Sequence, residues 1–221
     1  MRESPPLVGG LSGVIQIRGT LKDEAISIVR RALMSGEMEP GKIYSANALA
    51  VQLGVSNSPV REAMMALSAN GLLEVVRNRG YRVVEMTTQD QHEVYDLRLL
   101  NEVPAIGRTA ELEFSEQDVV RLRALANAAV TQADPDNMLE FLESDQRFHL
   151  SLIEMLGNRR LLAIIENLRD QSRINDTYRL LEPGRLQHCA AENGLILEAI
   201  LAHDRPLAET LMREHLNYSK P

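Results

Sequence analysis

The stretch that decides the fold is "LGVSNSPVREAMMAL", residues 53–67. A short polar run, residues 56–59, stands directly before a strongly helical segment whose first turns carry Arg61. Ser56 is placed to cap this helix, with Glu62 available for a return hydrogen bond, and the proline of the run suits a first helical turn. Because the whole chain is acidic, with a net charge of −7, this basic and hydroxyl-rich helix start indicates a local function.

The segments around this stretch predict a winged helix-turn-helix. A helical period begins after Thr20, with Asp23 placed to complete a capping box. A second, short helix follows Ser45 and ends at Gly54. After the quoted helix, "LLEVV" and "YRVVEM" flank "RNRG" and predict a small hairpin. Residues 1–18, rich in proline, glycine and serine, are predicted to form a flexible arm.

In a helix-turn-helix the start of the third helix enters the major groove of DNA. Asn57 and Arg61 are four residues apart and share a helix face, where arginine can read guanine and asparagine can read adenine. Ser56 and Ser58 add hydroxyl donors to the phosphate-binding helix N-terminus. Arg79, at the tip of the hairpin, can reach a phosphate or the minor groove. The alternative is that Ser56 is only a cap and Arg61 only a solvated charge.

The rest of the chain differs in charge and in periodicity. Residues 1–86 contain ten Lys and Arg against eight Asp and Glu, whereas residues 87–221 contain fourteen against twenty-three. The second part is predicted to be nearly continuous helix, with Thr88 as its first cap and Pro104 kinking its first helix. Its predicted helices are 88–111, 115–133, 136–156, 158–177, 184–203 and 205–218. The predicted fold class is therefore mostly α: a winged helix-turn-helix over 19–86 and an all-helical bundle over 87–221.

Targeting signals and disulfides are not indicated. No apolar run is long enough to span a bilayer, and the N-terminus lacks the basic and apolar regions of a secretory signal. The single cysteine, Cys189, permits no intrachain disulfide, which suits a reducing cytoplasm. We predict a cytoplasmic protein with no membrane partner, and interpret Cys189 as a small residue on a helix face.

One segment of the second part carries residues of metal-ligand type. In "ESDQRFHLSLIEMLGN", residues 143–158, Asp145 and His149 are four apart and share a helix face. Both residue types bind divalent metals at this spacing. A buried histidine paired with an aspartate for structural reasons is the alternative.

A resemblance adds to this reading. Residues 33–83, "LMSGEMEPGKIYSANALAVQLGVSNSPVREAMMALSANGLLEVVRNRGYRV", resemble the DNA-binding domain of the GntR family of bacterial transcription regulators. Arg61 matches the second family arginine and Gly80 the wing glycine, whereas Asn57 replaces an arginine that contacts bases in relatives. The resemblance implies DNA binding with an altered operator sequence. The predicted DNA-binding residues are Ser45, Ser56, Asn57, Ser58, Arg61, Arg79 and Gly80.

Residues 90–218 resemble the FCD effector-binding domain of the FadR branch of that family. The resemblance rests on Arg98 with Glu102, on "D..FH" in the middle, and on "ENGLILEAILAHDRPLAETLMREH" at the end. It implies a metal held by Asp145, His149 and His215. The remaining family histidine falls on Asn193, a poorer ligand for zinc. A divalent ion of the zinc, nickel or manganese type is therefore possible. The site is expected to hold metal weakly, to use a harder ion, to fill the vacant position with water, or to stay empty.

Effectors of the family are mostly small carboxylates, often bound beside the metal. The resemblance implies that Arg98 faces the effector pocket, and the position of Arg173 suggests the same. An ion pair between Arg98 and Glu102 is the structural alternative. Arg147 is predicted to be a surface charge.

Three functions follow from these patterns. The first is a homodimeric transcription regulator, commonly a repressor in this family, that binds double-stranded operator DNA under the control of a small organic acid. The second is a metal-responsive regulator, in which the ion is the signal. The third is a metal-dependent hydrolase with a DNA-binding appendage. No nucleophile or phosphate-binding loop accompanies the metal ligands, so we predict that the chain is not an enzyme.

Overall fold

The computed structural model describes residues 20–176, 180, 182 and 184–221. The chain divides into two compact units at the boundary between residues 86 and 87. The predicted flexible arm over residues 1–18 lies outside the described residues. The first unit carries the helix-turn-helix and its wing, and the second is a helical bundle, so the predicted fold class is confirmed.

The first unit consists of three helices and three short strands. They are α1 (Leu21–Met34), β1 (Ile43–Tyr44), α2 (Ala46–Leu53), α3 (Asn57–Ala69), β2 (Leu73–Val76) and β3 (Gly80–Val83). Thr20 and Asp23 form the predicted capping box of α1. Ser45 caps α2 by accepting a hydrogen bond from the Ala48 N–H at 3.4 Å. Gly54 ends α2 in the left-handed conformation, as predicted.

The cap of α3 differs from the prediction. Ser56 is the N-cap residue, but its side chain makes no capping hydrogen bond. Glu62 accepts its hydrogen bond from the Ser58 hydroxyl at 3.1 Å instead. The predicted exchange between Ser56 and Glu62 is therefore wrong, because the neighbouring serine is one turn from Glu62 on the same helix face.

The wing contains one strand more than the sequence predicted. The strand order is β1-β3-β2, and both pairings are antiparallel. Gly80 begins the central strand with φ +131°, and a Cβ there would lie 2.3 Å from the carbonyl oxygen of Tyr44. Only glycine permits β1 to approach β3 so closely. Gly80 therefore holds the wing against the short strand that precedes α2.

We predict that Gly80→Ala destabilises the first unit by more than the strain of a positive φ alone, which costs about 1–2 kcal/mol. The added methyl must displace the Tyr44 backbone. Gly54→Ala is the matched control, because Gly54 also has a positive φ, +68°, but nothing lies within 4 Å of its added Cβ. Urea unfolding of both variants measures the difference, and equal losses of stability would show that the close approach is not limiting.

The second unit contains six helices among the described residues. They are α4 (Thr88–Thr109), α5 (Glu116–Thr131), α6 (Met138–Glu154), α7 (Arg159–Asp176), α8 (Arg185–Leu201) and α9 (Arg205–Leu216). One-turn 3-10 helices precede α6 and follow α9. The predicted helices agree with these except for a few residues at the ends. The cap of α4 is Thr87, paired with Asp90, and not the predicted Thr88.

The bundle packs α4 against α7 and α9, and α5 against α6 and α8. Its apolar core contains Ile106, Phe148, Leu152, Ile196 and Met212, all almost fully buried. Pro104 lies within α4, as the sequence indicated. Nowhere in the described part of the chain is a helix both long enough and apolar enough to cross a membrane.

Candidate functional site

The start of α3 presents a polar surface. Ser56, Asn57, Ser58 and Arg61 are all exposed. The opposite face of α3 is buried against α1 and α2, with Met64 fully enclosed. Since packing fixes one face of the helix, the other face presents its hydroxyl, amide and guanidinium groups to solvent in a fixed arrangement. This is the surface that a recognition helix offers to the major groove.

The other three residues of the predicted DNA-binding set, Ser45, Arg79 and Gly80, have different roles. Arg79 is exposed in the turn between β2 and β3, next to Asn78, whose φ is +59°. The Ser45 side chain is occupied as the cap of α2. Gly80 has no side chain to contact DNA, and its close approach to the Tyr44 backbone explains why a glycine is needed at this position. Arg79 is therefore the member of this group with a side chain available to DNA.

The second unit contains a buried network of charges, and Asp145 on α6 is at its centre. Its Oδ2 accepts hydrogen bonds from the guanidinium groups of Arg169 at 2.7 Å and Arg173 at 2.5 Å, both from α7. Its Oδ1 accepts one from Asn193 Nδ2 at 3.0 Å. Burial disfavours the charged carboxylate, but His149 and the two arginines outweigh it and hold the pKa of Asp145 well below its usual range.

A second carboxylate, Glu102 on α4, extends the network. It accepts hydrogen bonds from Arg98 Nε and Arg169 Nη1, both at 2.6 Å. Burial would raise the pKa of Glu102, but the two guanidinium groups lower it to about 2. From the sequence, an ion pair between Arg98 and Glu102 was the structural alternative to a pocket-facing Arg98, and that ion pair is present.

Two of the buried guanidinium groups still have unused donors. Arg98 Nη1 donates to the hydroxyls of Ser172, Tyr218 and Ser219 at 3.0–3.4 Å. Arg98 Nη2 and Arg169 Nε are buried and have no hydrogen-bond partner. A buried donor without a partner costs about 1–3 kcal/mol, so an anion that reached these atoms would bind favourably.

The structure therefore brings both predicted effector residues, Arg98 and Arg173, into one buried network. The network also contains Arg169, which was not predicted from the sequence. Arg169 could have been predicted from its spacing, because it lies four residues before Arg173 on the same face of α7. Arg147 is exposed, as expected for a surface charge.

The predicted metal ligands lie beside this network. His149 Nε2 is 3.0 Å from Asn193 Oδ1 and 3.4 Å from Asp145 Oδ1. The His149 ring stacks on that of His215 with 4.8 Å between centroids. Burial and the nearby Arg169 lower the pKa of His149 to about 3, so its imidazole is neutral at neutral pH.

His215 has a different environment. Its Nδ1 is 2.9 Å from Glu192 Oε2 and 3.9 Å from the sulfur of Cys189. Its Nε2 is buried and has no hydrogen-bond partner. Burial disfavours the imidazolium form, but Cys189 and Glu192 outweigh it and raise the pKa of His215 well above its usual range.

Among the described residues, the potential ligand atoms of Asp145, Cys189 and His215 all lie within 4.8 Å of one another, and all three residues are buried. Carboxylate, thiolate and imidazole together form a donor set that suits a zinc-class ion. The residues present therefore fit a divalent metal. Cys189 was interpreted from the sequence only as a small residue on a helix face, and was not predicted to be a metal ligand. Its position four residues before Asn193, on the same face of α8, could have indicated this.

A winged helix-turn-helix followed by a helical bundle with a buried charge network defines a two-domain, DNA-binding transcription regulator. Residues 21–83 match the bacterial regulatory proteins of the gntR family, and residues 93–218 match the FCD domain. The chain belongs to the GntR family of transcription regulators with an FCD domain. The matched families and relatives are regulators rather than enzymes, which confirms that expectation.

Several relatives support this assignment. The HTH-type transcriptional repressor GlaR of Escherichia coli is 26% identical over 199 residues, which cover 85% of this chain and 89% of GlaR. The gluconate operon transcriptional repressor of Bacillus licheniformis is 29% identical over 143 residues, which cover 64% of this chain and 57% of that repressor. The structure of E. coli McbR/YncC has the same fold, with a TM-score of 0.80, 23% identity and coverage of 90% of this chain and 94% of McbR.

We predict that the stability of the second unit falls steeply in acid. Because the pKa of Glu102 is about 2 in the folded protein against an ordinary 4.5, its contribution is complete above pH 4.5 and is lost as the pH falls toward 2. The loss is on the order of 3 kcal/mol. The free energy of urea unfolding, measured from pH 7 to 2.5 by circular dichroism, tests this.

Glu102→Gln should reduce the slope of this acid-induced loss, at the cost of lower stability at pH 7. Glu198→Gln is the matched control, since Glu198 pairs with Arg123 on the surface and both side chains are more than half exposed. If Glu102→Gln leaves the slope unchanged, Glu102 is not a source of the acid sensitivity.

Proposed function

We propose that the protein is a homodimeric repressor that binds double-stranded operator DNA and responds to a small carboxylate bound in its C-terminal domain. The observation that carries the proposal is the buried guanidinium cluster, in which Arg98 Nη2 and Arg169 Nε have no hydrogen-bond partner. We place its action in the cytoplasm, where bacterial operator DNA is found, with no membrane partner. Repression is supported by relatives named as repressors, GlaR and the gluconate operon repressor.

The DNA-binding part of the proposal rests on the exposed start of α3 and on Arg79. Ser56 and Ser58 lie at the positive end of the helix dipole, where phosphate binds favourably. Asn57 and Arg61 are one turn apart, so both can reach base edges in one groove. Two such helices in a dimer would read half-sites about one DNA turn apart.

The effector part rests on the chemistry of guanidinium groups. Arginine binds carboxylates through paired, charge-assisted hydrogen bonds. Arg98 already donates hydrogen bonds from Nε to Glu102 and from Nη1 to three hydroxyls, so Nη2 is the nitrogen that remains for a ligand. Burial and the adjacent Arg169 lower the pKa of Arg173, which indicates that the guanidinium groups repel one another. An added anion would relieve this repulsion.

Control of DNA binding requires that the effector prefer one dimer geometry over the other. The guanidinium cluster joins residues of α4, α6, α7 and α8. A carboxylate that competes for Arg98 would change its partners on α7 and at the chain end, Ser172 and Ser219. We propose that this exchange is how occupancy of the C-terminal domain alters the spacing of the two recognition helices.

A divalent ion of the zinc, nickel or manganese type is part of the proposal. The family expectation places it between Asp145, His149 and His215, with Asn193 in place of a fourth ligand. When bound, such an ion would supply a second positive centre for the effector carboxylate. The Asp145, Cys189 and His215 cluster also supports a second candidate function, in which the ion itself is the signal. That alternative predicts that chelation alone changes operator affinity.

We predict that Arg61→Ala weakens operator binding by about 1–3 kcal/mol, because a bidentate contact to guanine is lost. Lys22→Ala is the matched control, since Lys22 is an exposed cation of the same unit on α1. Fluorescence anisotropy with the operator at fixed salt concentration measures both. Equal affinities for the wild-type protein and Arg61→Ala would remove Arg61 from the contact surface.

We predict that Arg98→Lys preserves operator binding but abolishes the response to the effector. Lysine keeps the positive charge beside Glu102, but its single ammonium group has no counterpart of the free Nη2 that would hold the acid. The assay is operator release by a panel of small mono- and dicarboxylates, each paired with its neutral amide. A variant that responds like the wild-type protein would show that the acid binds elsewhere.

A further inference from the structure

We propose that Glu62 reads a cytosine in each half-site of the operator, and that Ser58 is its positioning residue. The inference rests on the proposed function, because it assumes operator binding by the start of α3, and it names one base that the operator must contain. From the sequence, Glu62 was only a hydrogen-bond partner for Ser56, whereas the structure pairs it with Ser58.

Glu62 lies on the part of α3 that faces solvent. Ser58 and Glu62 are four residues apart, each one position after Asn57 and Arg61, so the two pairs form neighbouring rows on the same exposed surface. Met64 is fully buried on the opposite face, which fixes the rotation of the helix. A helix that presents Asn57 and Arg61 to the major groove therefore presents Glu62 to it as well.

The charge of Glu62 is not explained by the needs of the helix. Acidic side chains stabilise a helix through its dipole in the first turn, and the first turn of α3 contains none. Glu62 lies beyond that turn, and its hydrogen bond is to a neutral hydroxyl rather than to a cation. Phosphates repel a carboxylate that faces DNA, and a hydrogen bond from a base offsets this cost.

The hydrogen bond with Ser58 determines what the two side chains can read. The Ser58 hydroxyl donates its single proton to Glu62 Oε1 at 3.1 Å, so its oxygen has only lone pairs to offer to DNA. In this state Ser58 accepts hydrogen bonds from DNA, whereas the sequence suggested a donor to phosphate. Because an ionised carboxylate also only accepts hydrogen bonds, the two side chains together form a purely accepting surface.

A purely accepting surface selects cytosine among the base edges of the major groove. Cytosine presents its N4 amino group there, whereas guanine and thymine present acceptor atoms that a carboxylate opposes. Adenine presents its amino group beside the N7 acceptor, so half of its edge is unfavourable to Glu62. A glutamate that accepts from cytosine N4 therefore complements the adjacent Arg61, which can read guanine.

The experiment is a selection by the full-length protein from a pool of duplexes with a randomised central segment, followed by sequencing of the bound DNA. The wild-type protein should select a half-site with cytosine at one position. Glu62→Gln should select adenine at that position and leave the others unchanged, because glutamine pairs with the adenine edge. Glu37→Gln is the matched control, since Glu37 is an exposed acid of the same unit in the turn after α1, and it should select the wild-type half-site.

Fluorescence anisotropy on the selected site gives the size of the effect. Replacing the cytosine pair should weaken wild-type binding by about 5- to 150-fold, whereas Glu62→Ala should bind both sites with nearly equal affinity. Ser58→Ala should lose part of this discrimination, and Ser58→Thr, which keeps the hydroxyl, should restore it. A purely structural role for Ser58 would leave the base preference unchanged. Thermal melting verifies that each variant is folded.

Two results would overturn the inference while operator binding stands. One is a wild-type half-site without a fixed cytosine, and the other is the same half-site selected by the wild-type protein and by Glu62→Gln. If the Glu62 variants do not fold, undiminished discrimination by Ser58→Ala overturns it instead. Failure of the wild-type protein to enrich any sequence would contradict the proposed function, and the inference with it.

Discussion

The second domain depends on one buried carboxylate. Asp145 accepts hydrogen bonds from Arg169 and Arg173 on one oxygen and from Asn193 on the other. A buried charge is tolerated only when it is paired and hydrogen-bonded, so the positions of α6, α7 and α8 are tied to this single group. Removing the carboxylate would leave two guanidinium groups without their shared counterion in the core of the bundle.

Burying these charges costs desolvation free energy, whereas apolar side chains of the same size would fill the core without that cost. A bundle designed only for stability has no need of three buried arginines. Their presence is understandable if the core must also receive an anion. The unused donors of Arg98 and Arg169 are then the part of the network that remains for a ligand.

The sequence predicted the DNA-binding unit well because its signals are local. Helix caps at Thr20 and Ser45 and the left-handed Gly54 depend on neighbours within four residues. The errors are also local: Ser58, and not Ser56, donates a hydrogen bond to Glu62, and the cap of α4 is Thr87, one residue before the predicted one. The strand β1 was missed because two residues carry no periodic pattern, and only their pairing with β3 defines them.

The buried network was only partly predictable. Arg98 and Arg173 were found through a resemblance and through helix position. Arg169 and Cys189 were missed because their importance arises from contacts between helices far apart in sequence. Arg169 joins Glu102, 67 residues away, to Asp145. Cys189 meets His215 across 26 residues. The spacing of residues along one helix identifies such contacts only when the helix that packs against it is known.

The most direct test of this account is a crystal structure of the protein with a small carboxylate that alters its affinity for operator DNA. The account predicts that an oxygen of the acid lies within hydrogen-bonding distance of Arg98 Nη2, in the bundle and close to Asp145. A carboxylate bound outside the guanidinium cluster, with the partners of Arg98 unchanged, would contradict it.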